Sequence, residues 1–244
     1  MKKFILLVAV SCVALLRLQA QINRADNNAT NATMSTQNNV NVVATTNPPV
    51  QVMATQLAQF VARHAMTSAQ YQTEFNNWTS KGYRVTSLCG YTRGGQELYA
   101  AIWNKTAGPA WAAKHGLTGA EYQASFNEMS NNGYRLICIS GYGVGNQAKF
   151  SALWDKSGGG AWAAKHNMTA AQYQQAFDDY GKQGYRLQYV SGYVVGGTEY
   201  FAAIWEKKSG GAMAVKHNMT AAQYQQAFNE FTGQGYTLKL VSGY

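Results

Sequence analysis

The chain has 244 residues, enough for one sizeable core, and 46% of them are hydrophobic while only 13% are charged. Its 16 Tyr and 24 Gly suit a β-rich, turn-rich protein and argue against a helical bundle. The net charge of +9 contains no Lys/Arg run, which argues against a nucleic-acid partner and leaves an attraction to anionic cell-surface polymers open.

Residues 1–20 (MKKFILLVAVSCVALLRLQA) have the anatomy of a secretory signal: basic Lys2 and Lys3, an apolar run from Phe4 to Leu16, and Leu18-Gln19-Ala20 before a cleavage point at Gln21. The run is too short to span a membrane comfortably and no second one follows, so no integral membrane segment is expected after its removal. Cleavage would leave a charge of +6. A lipoprotein signal through Cys12 is the alternative, though Val13–Leu16 beyond it are still apolar. The localisation expected is therefore secreted, extracellular or periplasmic. Residues 21–50 are rich in Asn and Thr and read as a flexible linker, with sequons at Asn28 and Asn31 and a short strand signal at Val40–Val43.

Residues 51–244 are repetitive with a period of 51. His64, His115, His166 and His217 keep that spacing, as do Gly82, Gly133, Gly184 and Gly235. The units run over about 57–107, 108–158, 159–209 and an incomplete 210–244. Each opens with a helix signal: Thr67, Thr118, Thr169 or Thr220 at the cap, and Gln70, Glu121, Gln172 or Gln223 three residues on, a capping box. Met66, Leu117, Met168 and Met219 before the cap can staple onto Tyr71, Tyr122, Tyr173 and Tyr224. The glycines at 82, 133, 184 and 235 should stop the helices in a left-handed conformation.

A strand follows, Tyr185–Tyr193 in the third unit, then a Gly-Gly turn and a return strand, Glu199–Trp205. Glycine-rich links such as KSGGGAW lead to the next helix. The fold class expected is α+β: helix–strand–strand repeats forming one strongly curved, half-barrel-like antiparallel sheet with helices on one face. Its open last edge would be covered by Val40–Thr46 or used to bind a partner.

The motifs GYRL, SGY, AAIWEK and AWAAKHNMTAAQYQQAF, at their spacing, resemble the bacterial tandem repeat domain, which also forms the N-terminal part of fungal polyglycine hydrolases. The resemblance covers residues 57–244 and implies the curved repeat sheet with helices on one side. It also implies a frequent companion, a serine hydrolase domain resembling a β-lactamase. That domain's Ser-x-x-Lys motif is missing here, as are Gly-x-Ser-x-Gly and His-Glu-x-x-His, so its activity does not carry over.

Three sets of side chains are candidates for chemistry. Trp103, Trp154 and Trp205 end the return strands and could stack on sugar rings, or fill the core. Arg84, Arg135 and Arg186, with Thr237 breaking the series, could line an anion groove, or cover apolar neighbours while pairing with helix acids such as Asp178. The four His lie one per unit, so no metal site or other cofactor is expected. Ser140, Ser191 and Ser242 lack a partner His–acid pair, and Cys89 and Cys138 occupy non-equivalent strand positions and read as two small buried residues, with a disulfide open. Together these imply a secreted, non-catalytic binding or scaffold module for a cell-wall or extracellular glycan or a partner protein. A peptidase-like hydrolase, or an accessory chain to a separate serine hydrolase, is the alternative.

Overall fold

The computed structural model describes residues 3–8, as backbone, and residues 59–244. The linker 21–50, with Asn28, Asn31 and Val40–Thr46, lies outside the described residues, as does Cys12. No described helix is long and apolar enough to cross a membrane.

Four helices form where the caps predict them: α1 (Ser68–Thr79), α2 (Gly119–Asn131), α3 (Ala170–Lys182) and α4 (Ala221–Gly233). All four capping boxes are complete, so each Thr hydroxyl accepts from the N3 amide while the N3 side chain accepts from the cap amide. Past the C-termini Gly82, Gly133, Gly184 and Gly235 sit at φ of 77 to 82°, a region that costs other L-residues.

The strands are β1 (Lys3–Val8), β2 (Phe60–Met66), β3 (Arg84–Arg93), β4 (Gln96–Asn104), β5 (Trp111–Thr118), β6 (Arg135–Val144), β7 (Gln147–Asp155), β8 (Trp162–Met168), β9 (Tyr185–Val195), β10 (Thr198–Lys207), β11 (Met213–Lys216) and β12 (Tyr236–Ser242). Each unit thus has a strand that the sequence reading omitted. What reads as a link (WAAKHNM) is a lead-in strand that pairs with the return strand of its own unit, Trp162 opposite Glu206 for example. Ala and Lys disfavour strands locally, and pairing with a distant partner overrides that preference.

The expected single curved sheet is not what forms. The strands make separate three-stranded sheets, β2-β4-β3, β5-β7-β6 and β8-β10-β9, each antiparallel with the return strand in the middle. They neither join nor close into a half-barrel. In the fourth, β11-β1-β12, the middle place is taken by β1, running parallel to both neighbours.

Each core is shared between a unit and its successor. Tyr71, Tyr99 and Trp103 of the first unit pack in one cluster with Cys138, Tyr142 and Leu153 of the second. Tyr122, Phe150 and Trp154 likewise pack with Tyr193, Ala202 and Ile204 of the third. One face of a sheet therefore holds its helix and the other lies on the preceding unit. Leu153 and Ile204 are 1% and 3% exposed for this reason, while Ile102, with no described unit before it, is 39% exposed. A single unit could not bury both faces, which is why repetition builds the fold.

Candidate functional site

The joint between units explains the SGY motif. Ser140 Oγ accepts from Gly90 N at 3.2 Å and donates back to Gly90 O at 3.3 Å; Ser191 and Ser242 accept from Gly141 N and Gly192 N at 3.1 and 3.0 Å. Each serine is thus spent on the backbone of the preceding unit. The tyrosine beside it lies flat on the same glycine: a Cβ at Gly90, Gly141 or Gly192 would stand 2.2 to 2.4 Å from ring carbons of Tyr142, Tyr193 or Tyr244.

Trp103, Trp154 and Trp205 are 0, 0 and 1% exposed, with ring centroids 6.1, 6.5 and 6.4 Å from Tyr71, Tyr122 and Tyr173. No indole face is left for a sugar, because the helix covers it. Trp111 and Trp162 are half-buried on the preceding unit's helix, edge-on to Phe75 and Phe126 at 5.7 and 5.5 Å.

The arginines do not form an open anion ladder either. Arg84 pairs with Asp155 at 3.7 Å and Arg135 with Glu206 at 2.7 Å, so the acid belongs to the next unit's return strand and not to a helix. Arg186 donates to Gly211 O at 2.6 Å. The link glycines lie over the guanidinium groups: a Cβ at Gly108 or Gly159 would fall 1.6 or 2.0 Å from Nη1 of Arg84 or Arg135. A hydrogen bond from Lys208 at 2.9 Å, with Arg135 beside it, holds the Glu206 carboxyl below its ordinary range.

The histidines meet the preceding helix. His115, His166 and His217 lie edge-on to Tyr71, Tyr122 and Tyr173 at 4.5, 4.7 and 5.2 Å. His115 Nε2 is 2.9 Å from Ser68 Oγ, and burial pushes the His115 and His166 pKa values below the usual 6.5. No three of His, Cys, Asp and Glu gather at a metal-binding distance among the described residues. Cys89 and Cys138 are not joined by a disulfide; Cys138 is buried as expected, but Cys89 is exposed, which corrects the reading of both as buried residues.

One polar cluster was missed from the sequence. In the later joints, Tyr193 and Tyr244 donate to Asn167 Oδ1 and Asn218 Oδ1 at 2.8 and 3.0 Å. Gly116 stands at that place in the joint between units one and two. Glu97 Oε1 takes over there, accepting from Tyr99 and Tyr142 hydroxyls at 2.6 Å each. Burial opposes its charge, but the two phenols hold the Glu97 carboxyl below its ordinary value, and burial with that hydrogen bonding drives both phenols up. The visible signal was Tyr at 99, where the other units have Phe150 and Phe201.

Two concavities remain. A groove of about 640 Å³ between neighbouring helices is lined by Gln123, Lys165, His166 and Gln172, residue types that recur at the same place in other units. A second, of about 550 Å³, crosses all four units. It follows the point where each first strand slips register: between Val85 and Ser87, Leu136 and Cys138, Leu187 and Tyr189. The bulges turn out Thr86, Ile137 and Gln188, and Lys239 stands at the same place in the fourth unit. Here the units differ at every copy, and so do the neighbours Ser87, Cys138, Tyr189 and Leu240. Of the three candidate arginines, only Arg186 borders this groove.

A family model described as polyglycine hydrolase-like, structural repeat, matches residues 58–106, 108–157, 159–208 and 210–244.

Proposed function

The chain belongs to the polyglycine hydrolase-like structural repeat family, and from that frame we propose that it is an exported, non-catalytic recognition module whose ligand lies along the groove crossing the four units. One observation carries this reading. The caps, helix stops, core Trp and SGY joints repeat almost unchanged, whereas the bulge pairs Thr86-Ser87, Ile137-Cys138, Gln188-Tyr189 and Lys239-Leu240 change at each copy. Residues that hold a stack must repeat with it; residues that vary over a common frame can read a ligand. The groove is neutral at Thr86 and Ser87 and basic towards Arg186, Lys208 and Lys239, with no acid in its lining. That suits an extended polymer outside the cytoplasm, carrying apolar faces and some negative charge.

The test is binding of the purified protein to insoluble polysaccharides and cell walls across a salt series. Saturable binding that survives salt and is blocked by Thr86→Trp, which fills the groove at an exposed position, is the expected result. Binding that vanishes at moderate salt and ignores Thr86→Trp reduces the attraction to net charge and overturns the groove. Amino-terminal sequencing of protein recovered from outside the cell tests export, with Gln21 as the expected first residue.

A further inference from the structure

From the second unit on, each lead-in strand carries the same pair of side chains: Lys114-His115, Lys165-His166 and Lys216-His217. In the second unit both members are satisfied. Lys114 Nζ donates to Glu128 and Ser125 at 2.9 and 3.1 Å, both on α2, and His115 Nε2 lies 2.9 Å from Ser68 Oγ on α1. In the fourth unit His217 Nε2 meets Gln174 Oε1 at 3.2 Å.

The third unit has none of these partners. Ala176 stands in place of Ser125, the shorter Asp179 in place of Glu128, and Gly119 in place of Ser68. The exposed Lys165 ammonium makes no ion pair or hydrogen bond among the described residues, and the Tyr180 ring it faces is 5.6 Å away. His166 touches the rings of Tyr122 and Phe150 and makes no side-chain hydrogen bond among the described residues. Asn167 accepts from Tyr193 through Oδ1, while its Nδ2 stands unbonded 3.6 Å from the place of a Cβ on Gly119. Asp179 accepts from Gln175 at 2.9 Å through Oδ1, and its Oδ2 is open.

These groups line one concavity, the groove of about 640 Å³, together with the apolar Ala164, Met168 and Ala171. Polar atoms that the second unit spends on its own helices are thus left unspent around a space of the size that small ligands fill. We infer that this groove between the second and third units binds an acidic sugar, a pyranose ring that bears a carboxylate. Lys165 and the Asn167 amide take the carboxylate through charge-assisted hydrogen bonds, Asp179 accepts from ring hydroxyls, and the small apolar side chains meet the C–H face. The inference does not rest on the groove of the bulges, with which this site shares no lining residue.

The test is titration calorimetry of the purified protein with an oligogalacturonate and with its methyl ester, which keeps the hydroxyls and loses the charge. The acid is expected to bind saturably and at least about tenfold more tightly than the ester. Lys165→Met should weaken binding of the acid at least about tenfold, whereas Lys105→Met, which removes the same charge from the first unit, should leave it unchanged. Ala176→Ser with Asp179→Glu gives Lys165 the partners that Lys114 has, and should block binding without lowering the melting temperature. No binding by the unaltered chain, equal affinity for acid and ester, or equal weakening by the two lysine changes would overturn the site. Binding that is lost with Thr86→Trp and indifferent to Lys165→Met would place the polymer in the other groove and overturn this one.

Discussion

Tyr193 lies across Gly141, so close that a Cβ on the glycine would stand 2.4 Å from two ring carbons. The ring belongs to the third unit and the glycine to the second, and Ser191 binds the same glycine's amide at 3.1 Å. Gly141→Ala should therefore push two units apart, costing about 2–3 kcal/mol as a strained overpacking. Gly181→Ala, in helix α3 with nothing within 4 Å, should instead stabilise by roughly 0.5–1 kcal/mol. Urea midpoints of the two variants check the pair.

Ala65 sits at φ 55°, where the equivalent residues are Gly116, Asn167 and Asn218. A left-handed alanine costs about 1 kcal/mol that glycine does not. Ala65→Gly should raise stability by about that amount. Ala65→Asn should match it, because Asn167 in the same conformation also accepts a hydrogen bond from Tyr193 at 2.8 Å, and Tyr91 stands ready at 3.0 Å from Ala65 N. Calorimetric melting reads both.

Arg135 and Glu206 are 13% and 16% exposed and join two units across 71 residues. Removing one partner leaves a mostly buried charge, so Glu206→Ala should cost about 3 kcal/mol. Arg135→Met with Glu206→Met should cost much less than the two single changes added together. Failure of that non-additivity in a double-mutant cycle would show that the pair does not hold the joint.

Stability should depend on pH in two steps. His115 and His166 have folded pKa values below 6.5, lowered by burial. The unfolded chain then binds more protons, so their contribution is complete above 6.5 and is lost as pH falls through the lower folded values. Glu97 and Glu206 are held below 4.5, so their contribution is present above 4.5 and lost beneath it. His115→Asn with His166→Asn should flatten the upper step in a pH series of urea midpoints and leave the lower step in place.

Much of this frame can be read from local signals. The capping boxes, helix stops and two-residue hairpin turns depend on residues within a few positions of one another, and all appear where expected. The lead-in strands escaped because Trp162–Met168 become a strand only through pairing with a return strand about forty residues away in the chain. The tryptophans were ambiguous because periodicity places a ring on a face without saying what covers that face. The arginine partners did leave a trace: Asp155 and Glu206 are charged, while the equivalent Asn104, in the unit with no described arginine-bearing unit before it, is not. The varying bulge residues became a candidate groove only once the register slips showed that they converge.

Because the joints recur at one fixed interval, with Gly90 to Ser140, Gly141 to Ser191 and Gly192 to Ser242 all fifty residues apart, the chain is modular in the genetic sense. Excising residues 110–160 would bring Tyr193 onto Gly90 in the geometry it now has with Gly141, and would seat Glu206 opposite Arg84. Unequal crossing-over between near-identical segments can thus lengthen or shorten this protein by whole steps without inventing a new interface. Each such event would add or delete one bulge along the groove and leave the rest in order.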